Sequence, residues 1–312
     1  MLFPNPKIKF YKIRTFGEKF SIAFDFLRET WKPLMKYSLY LILPICLIQA
    51  FAMNAYMRFA FSLGSGSFYG GQMELLFSFL ANAGILMLCT LTGSCLLSSL
   101  VYTLMQVYER RENRLLDISL ADFKSPLIRN FGKALQVTLF LFVAYCLCIA
   151  LFGLLAFLSL WTMALTIPIF LIGLFIVVMP LSIFTPLYIF EDQPFFVALR
   201  RSFKYGFSVW GEIFLVLLVF GMLGSIISSV TMMPWYVMTL IKSVFTLADE
   251  GNGVTSSWWY EFIVYLLGII QSYGTYLGAI ISLVGISFQY FHTREKKEGI
   301  SVNESIANFS QL

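Results

Sequence analysis

The chain has 312 residues, 59% of them hydrophobic and only 12% charged, with a formal net charge of +5. Soluble domains carry about 25% charged residues, so this composition excludes a water-soluble core and leaves a polytopic membrane protein. Apolar runs and short connections use up the length, leaving no room among these residues for a soluble catalytic domain.

Residues 1–14 are basic and aromatic, with Lys7, Lys9, Lys12 and Arg14 around Phe10 and Tyr11. They lack the short apolar run and small-residue cleavage site of a removable signal peptide, so none is expected. Thr15 and Glu18 have capping-box spacing and predict a helix start. Phe16, Phe20, Ala23, Phe24, Leu27, Trp31 and Leu34 then share one helical face, opposite Glu18, Asp25, Arg28, Glu29 and Lys32. Pro33 is expected to bend the chain before a first span over 37–57, which is uncharged for 21 residues and long enough to cross a hydrocarbon core. Pro44 within it is tolerable if packing or water satisfies the freed carbonyl.

Residues 62–71 read as a flexible glycine-serine loop. They lack the lysine-containing ending of a phosphate-binding loop and follow no strand, which argues against phosphate there. The uncharged run 75–108, 34 residues long, predicts a second span that tilts or projects. Residues 109–133 are charged, and Ser125 and Pro126 are expected to cap and begin the next helix. Leu127, Ile128, Phe131 and Leu135 line one of its faces. The 57 uncharged residues 134–190 suit two spans joined by a tight turn near 159–166, with kinks at Pro168, Pro180 and Pro186.

The segment 194–210 is amphipathic. Phe195, Phe196, Leu199, Phe203, Gly206, Phe207 and Trp210 fall on one side, and Arg200, Arg201, Lys204 and Ser208 on the other. A fifth span follows over 213–241, broken near Pro234 and Trp235. Gly251, Asn252 and Gly253 read as a turn, and Trp258, Trp259 and Tyr260 as an interfacial anchor. The sixth span runs from Phe262 to about Tyr290, and the tail is polar.

The expected fold is therefore all-α: six transmembrane helices in three pairs, each pair preceded by a cytoplasmic amphipathic helix. The divisions are a basic segment 1–36, a transmembrane domain 37–292 and a tail 293–312. Apolar offsets repeat at Ala23, Phe24, Leu27, Trp31, at Leu127, Ile128, Phe131, Leu135 and at Phe195, Phe196, Leu199, Phe203. Duplication of a two-span unit (15–109, 117–191, 193–292) accounts for this, as does the common geometry of membrane-entering amphipathic helices. Of the 22 basic residues, 20 fall in segments that six spans place on one side, which predicts both termini in the cytoplasm.

The stretch Ala198-Leu199-Arg200-Arg201-Ser202-Phe203, followed by Trp210, resembles a signature of a broad bacterial family of six-span inner-membrane proteins. That family includes the membrane domain attached to some glycerophosphodiester phosphodiesterases. The opening, with its aromatic amphipathic helix, Trp31-Lys32-Pro33 and Pro44, is similar to the family's opening. The resemblance implies a bacterial inner-membrane location and a fold. It carries over no catalytic residue, because the phosphodiesterase barrel has no counterpart among these residues.

Chemistry is sparse. Cys46, Cys89, Cys95, Cys146 and Cys148 lie in apolar runs and read as packing residues, with no disulfide framework or metal pair implied. No Asp, Glu, Lys or Arg lies near the centre of a span, and no catalytic triad, paired carboxylates or metal motif can be assembled. Neither enzyme activity nor a cofactor is expected. Gln49, Asn54, Asn82, Gln106, Gln271 and Gln289 read as helix-to-helix hydrogen-bonding groups, with a polar path through Asn82 and Gln271 as the alternative. His292 is expected at a helix end, in a favourable dipole contact.

Small residues recur every fourth position at Thr90, Ser94, Ser98, at Gly221, Ser225, Ser229 and at Gly274, Gly278, Ser282. Such stripes pack helices within the chain or form a homodimer face. Arg200, Arg201 and Lys204 are expected to meet anionic lipid headgroups; the alternatives are that they set orientation alone, or that Arg200 or Arg201 pairs with Glu191 or Asp192. The expected role is a non-enzymatic scaffold or lipid-interacting accessory protein, with no nucleic-acid partner. The alternative is a permease or export subunit for a small or lipid-like substrate.

Overall fold

The computed structural model describes residues 6–64, 72–158, 160–247 and 257–301. Among them are eight helices and no strand: α1 (Phe16–Gly64), α2 (Gln72–Arg110), α3 (Leu120–Leu158), α4 (Leu160–Ser182), α5 (Phe184–Glu191), α6 (Phe195–Ser208), α7 (Trp210–Leu247) and α8 (Trp258–Glu298). Six helical stretches are long and apolar enough to cross a membrane, in α1, α2, α3, α4 with α5, α7 and α8. The chain is an all-α multi-pass membrane protein. Leu139, Val143, Leu147, Leu151 and Leu154 of α3 are all exposed, an apolar surface that suits lipid rather than water.

Local chemistry explains the helix ends. Thr15 and Glu18 form the reciprocal box: Thr15 N–H donates to Glu18 Oε2 at 2.7 Å and Glu18 N–H to Thr15 Oγ1 at 3.4 Å. The helix they start does not stop at Pro33 or Pro44, so the amphipathic stretch and the first span form one 49-residue helix. Helix α3 starts earlier than Ser125 and Pro126 suggested. Ser119 N–H donates to the Asp122 carboxylate at 2.9 Å and Asp122 N–H returns to Ser119 O at 3.1 Å, leaving Pro126 inside the helix. Thus only the third amphipathic segment, α6, is a separate helix.

Pro168 and Pro180 are accommodated within α4. Pro186 coincides with a break: it has no N–H to give the Ser182 carbonyl, and α5 begins at Phe184. Pro234 does not interrupt α7; the next residue, Trp235, is fully buried and its indole N–H donates to Asn54 Oδ1 at 2.9 Å. Residues 160–166 are already helical in α4. Ser159, most of the glycine-serine loop and the Gly251-Asn252-Gly253 turn lie outside the described residues.

The chain divides into two compact units, Met1–Leu34 with Ser98–Phe220 and Ser282–Leu312, and Met35–Leu97 with Gly221–Ile281. In the first, Phe10 stacks on Tyr108 and Phe291 at centroid distances of 5.7 and 4.9 Å, and meets Phe26 and Phe288 edge-on. In the second, Trp235, Tyr260 and Val264 form a buried cluster with Met53, Met57, Met238 and Leu267 against it.

Candidate functional site

Helix α6 begins directly after Pro194, whose carbonyl accepts from the N–H groups of Val197 and Ala198 at 3.1 and 3.0 Å. It buries a narrow face of Ala198, Ser202, Tyr205 and Gly206. Gly206 permits that contact, because a β-carbon there would overlap Cα of Pro180. The apolar side that periodicity suggested is therefore split. Its small residue is packed, while Phe196 and Phe207 stay 75% and 51% exposed.

The three expected headgroup residues part company. Arg200 and Lys204 are exposed. Arg201 instead bonds Glu191 at 2.9 Å and lies 3.8 Å from Glu298. Burial works against its charge, but Glu191, together with Tyr205 and Glu298, outweighs it and holds Arg201 above its ordinary pKa. Glu191 is the centre of this group: its carboxylate is 1% exposed, also lies 3.5 Å from Arg294, and accepts from the Tyr290 hydroxyl at 3.2 Å. Arg201 is itself 38% exposed and Arg294 also neutralises Glu191, so solvent screening weakens the pair, but the pair ties Arg201 to the protein rather than to lipid.

The same unit holds a second charge group. Lys19, 4% exposed, pairs with Glu212 at 2.7 Å and donates to Gln289 Oε1 at 2.8 Å. Lys296 approaches the same carboxylate at 3.1 Å. His292 is buried and lies inside α8, which continues to Glu298, so it is not at a helix end in a dipole contact. Its Nδ1 accepts from the Arg14 N–H at 3.0 Å, and its Nε2 stands 3.0 Å from Glu212 without the alignment of a hydrogen bond. A legible signal existed for Lys19: it lies four residues before Ala23, on the stripe that continues through Phe26 and Leu27.

Asp192, just outside the apolar helices, adopts a left-handed φ of 55°, a conformation Asp tolerates better than most residues. The hydrogen bond from Lys133 at 2.6 Å holds its carboxyl below the ordinary range.

The intramembrane amides differ in use. Gln106 donates to Ile189 O at 3.3 Å, and Asn130 donates to Thr103 Oγ1 and Gln106 Oε1 at 2.8 and 2.9 Å. Gln49 accepts from the Tyr276 hydroxyl at 3.1 Å. Asn82 donates to Ser78 O within its own helix, and Gln271 accepts from neighbouring Ser272. Of the small-residue stripes, Gly274 and Gly278 face Thr231, Gly224 and Ser228 closely, and Ser282 donates to Phe220 O at 3.3 Å. Nothing lies within 4 Å of a β-carbon placed at Gly221, and Ser225 and Ser229 are exposed. Cys46 and Cys95 are buried. Among the described residues no three His, Cys, Asp or Glu side chains are grouped to hold a metal ion.

No family model, curated protein or solved structure matches this chain.

Proposed function

We propose that this chain is a non-enzymatic scaffold or accessory protein of a bacterial inner membrane, related to the six-span family its Ala198–Phe203 stretch resembles. In this reading both termini are cytoplasmic, the spans work as three pairs, and α6 lies along the inner leaflet holding anionic lipid headgroups. The supporting observation is that Arg200 and Lys204 are exposed, with no ion-pair partner among the described residues, beside the exposed rings of Phe196 and Phe207. Rings at acyl depth and cations at headgroup depth are what a surface helix needs, each cation contributing about 1 kcal/mol near an anionic leaflet.

The test replaces Arg200 and Lys204 by Gln, keeps Arg201, and quantifies anionic lipid copurifying with the full chain in mild detergent. Retained lipid is expected to fall several-fold, with insertion and thermal stability unchanged. Unaltered lipid retention in a correctly inserted variant refutes headgroup binding by α6 and leaves these cations as orientation signals alone.

A further inference from the structure

A second cluster of cations lies away from α6, where the end of α2 meets the start of α3. Val107 and Arg110 come from the last turn of α2, Arg111 directly follows it, and Asp122, Ser125, Pro126 and Arg129 come from one face of α3, around a cavity of about 400 Å³. The spacing is that of two apposed helical faces, i, i+3, i+4 on one and i, i+3, i+4, i+7 on the other. Three guanidinium groups thus share a small space with a single carboxylate. Asp122 is taken by Arg111 at 3.2 Å. Arg129 reaches only the outlying Asp192, at 3.6 Å, and Arg110 has no ion-pair partner among the described residues.

We propose that this cavity is a phosphate-binding site, taking a phosphomonoester or phosphodiester group between Arg110, Arg129 and the Ser125 hydroxyl. Guanidinium forks match phosphate oxygens with paired, charge-assisted hydrogen bonds. Arg110, Ser125 and Arg129 are exposed, so water screens the repulsion among the cations while their donors stay accessible to an incoming anion. The volume falls at the small end of ligand cavities, fitting a headgroup-sized anion. Depth favours a lipid source. The uncharged run begins at Ala134, five residues beyond Arg129 and nine beyond Ser125, or about 7 and 14 Å along the helix, so the cavity lies within about three turns of the apolar stretch. A free phosphate ester would satisfy the same donors.

The experiment is calorimetric titration of the full chain in neutral detergent with dihexanoyl phosphatidic acid and, separately, with inorganic phosphate. Compared are the wild type, Arg110→Gln with Arg129→Gln, and the corresponding double Lys variant. The phosphatidic acid is expected to bind the wild type and to bind the Gln variant about tenfold or more weakly, as loss of charged hydrogen bonds implies. The Lys variant is expected to fall between them, because it keeps charge and loses the fork. Inorganic phosphate binding as well as the lipid, with the same loss in the Gln variant, supports the site and assigns it to a soluble anion. Absence of binding by both probes, or equal binding by wild type and a Gln variant of unchanged thermal stability, overturns the proposal. Because Arg200→Gln with Lys204→Gln leaves these residues intact, its effect on this titration is expected to be nil, and the two lipid readings fail separately.

Discussion

A methyl group added at Gly278 would overlap the carbonyl oxygen of Gly224 and crowd Ser228 Oγ, whereas one added at Gly221 would meet nothing within 4 Å. Backbone cannot retreat as a flexible side chain can, so Gly278→Ala is expected to cost about 1–3 kcal/mol, the usual range for overpacking. Gly221→Ala is expected to be neutral or to stabilise by up to about 1 kcal/mol through its backbone effect. Thermal unfolding of the two variants in the same detergent separates these cases, and equal shifts would contradict the helix contact described. The comparison also shows what spacing leaves open. Helix α7 carries two small-residue stripes, Gly221-Ser225-Ser229 and Gly224-Ser228-Thr231, and only the second meets Gly274 and Gly278 of α8. A strict every-fourth-residue spacing picks out only the first, and the partner helix uses the second. Arg201 teaches the same lesson: pairing with Glu191 was one of the readings its position left open beside headgroup contact, and the packing of α5 against α6 selects it.

At the scale of elements, the segment before α1 is held by side chains instead of by its own hydrogen-bond ladder. Phe10 fills an aromatic pocket, the Arg14 guanidinium donates to Phe10 O at 2.8 Å and to Lys9 O, and Arg294 donates to the Tyr11 hydroxyl at 3.1 Å. Burial pushes the Tyr11 hydroxyl up to about 12, against the pull of Arg294; burial and its bond to Glu298 push Tyr205 up to about 12 as well. An unfolded tyrosine titrates near 10. Between about pH 10 and pH 12 the unfolded chain therefore loses these protons first, and stability falls as pH rises through that window. Below pH 10 both states keep the protons and the contribution is complete.

Tyr11→Phe combined with Tyr205→Phe is expected to lower stability at pH 8, by the lost hydrogen bonds, yet to flatten the decline between pH 10 and 12. Identical slopes in the variant and wild type would show that these hydroxyls titrate normally. Sequence alone made the helix start at Thr15 and Glu18 legible, because both partners of that cap are local. The start of α3 was harder: Ser119 with Asp122 and Ser125 with Pro126 are both acceptable beginnings, and the earlier one prevails.

On the scale of the molecule, the six apolar runs were readable because a hydrocarbon core imposes a length that no other constraint mimics. The polar organisation was not, because Lys19, Glu212 and Gln289 come together from positions 193 and 270 residues apart from Lys19. The charge distribution gives the last test. All 22 basic residues except Lys36, Arg58 and Lys242 belong to the unit built from Met1–Leu34, Ser98–Phe220 and Ser282–Leu312. Lys242 is itself paired with Glu261, so it offers little free positive charge. Basic residues flanking spans resist translocation, and short connections obey this bias most strongly. Reporter fusions at Asn113 and after Leu312 are therefore expected to give cytoplasmic signals, and fusions at Ser65 and Asn252 signals from the opposite side. The fusion at Asn252 discriminates most. It follows α7, which runs unbroken through Pro234, and precedes α8, whose Trp258 and Trp259 stack at 4.2 Å and are exposed. Aromatic pairs of this kind sit at a membrane–water boundary, so α8 is expected to begin at the far interface. A cytoplasmic signal at Asn252 would mean that α7 turns back before crossing, and would break the six-span arrangement and its orientation together.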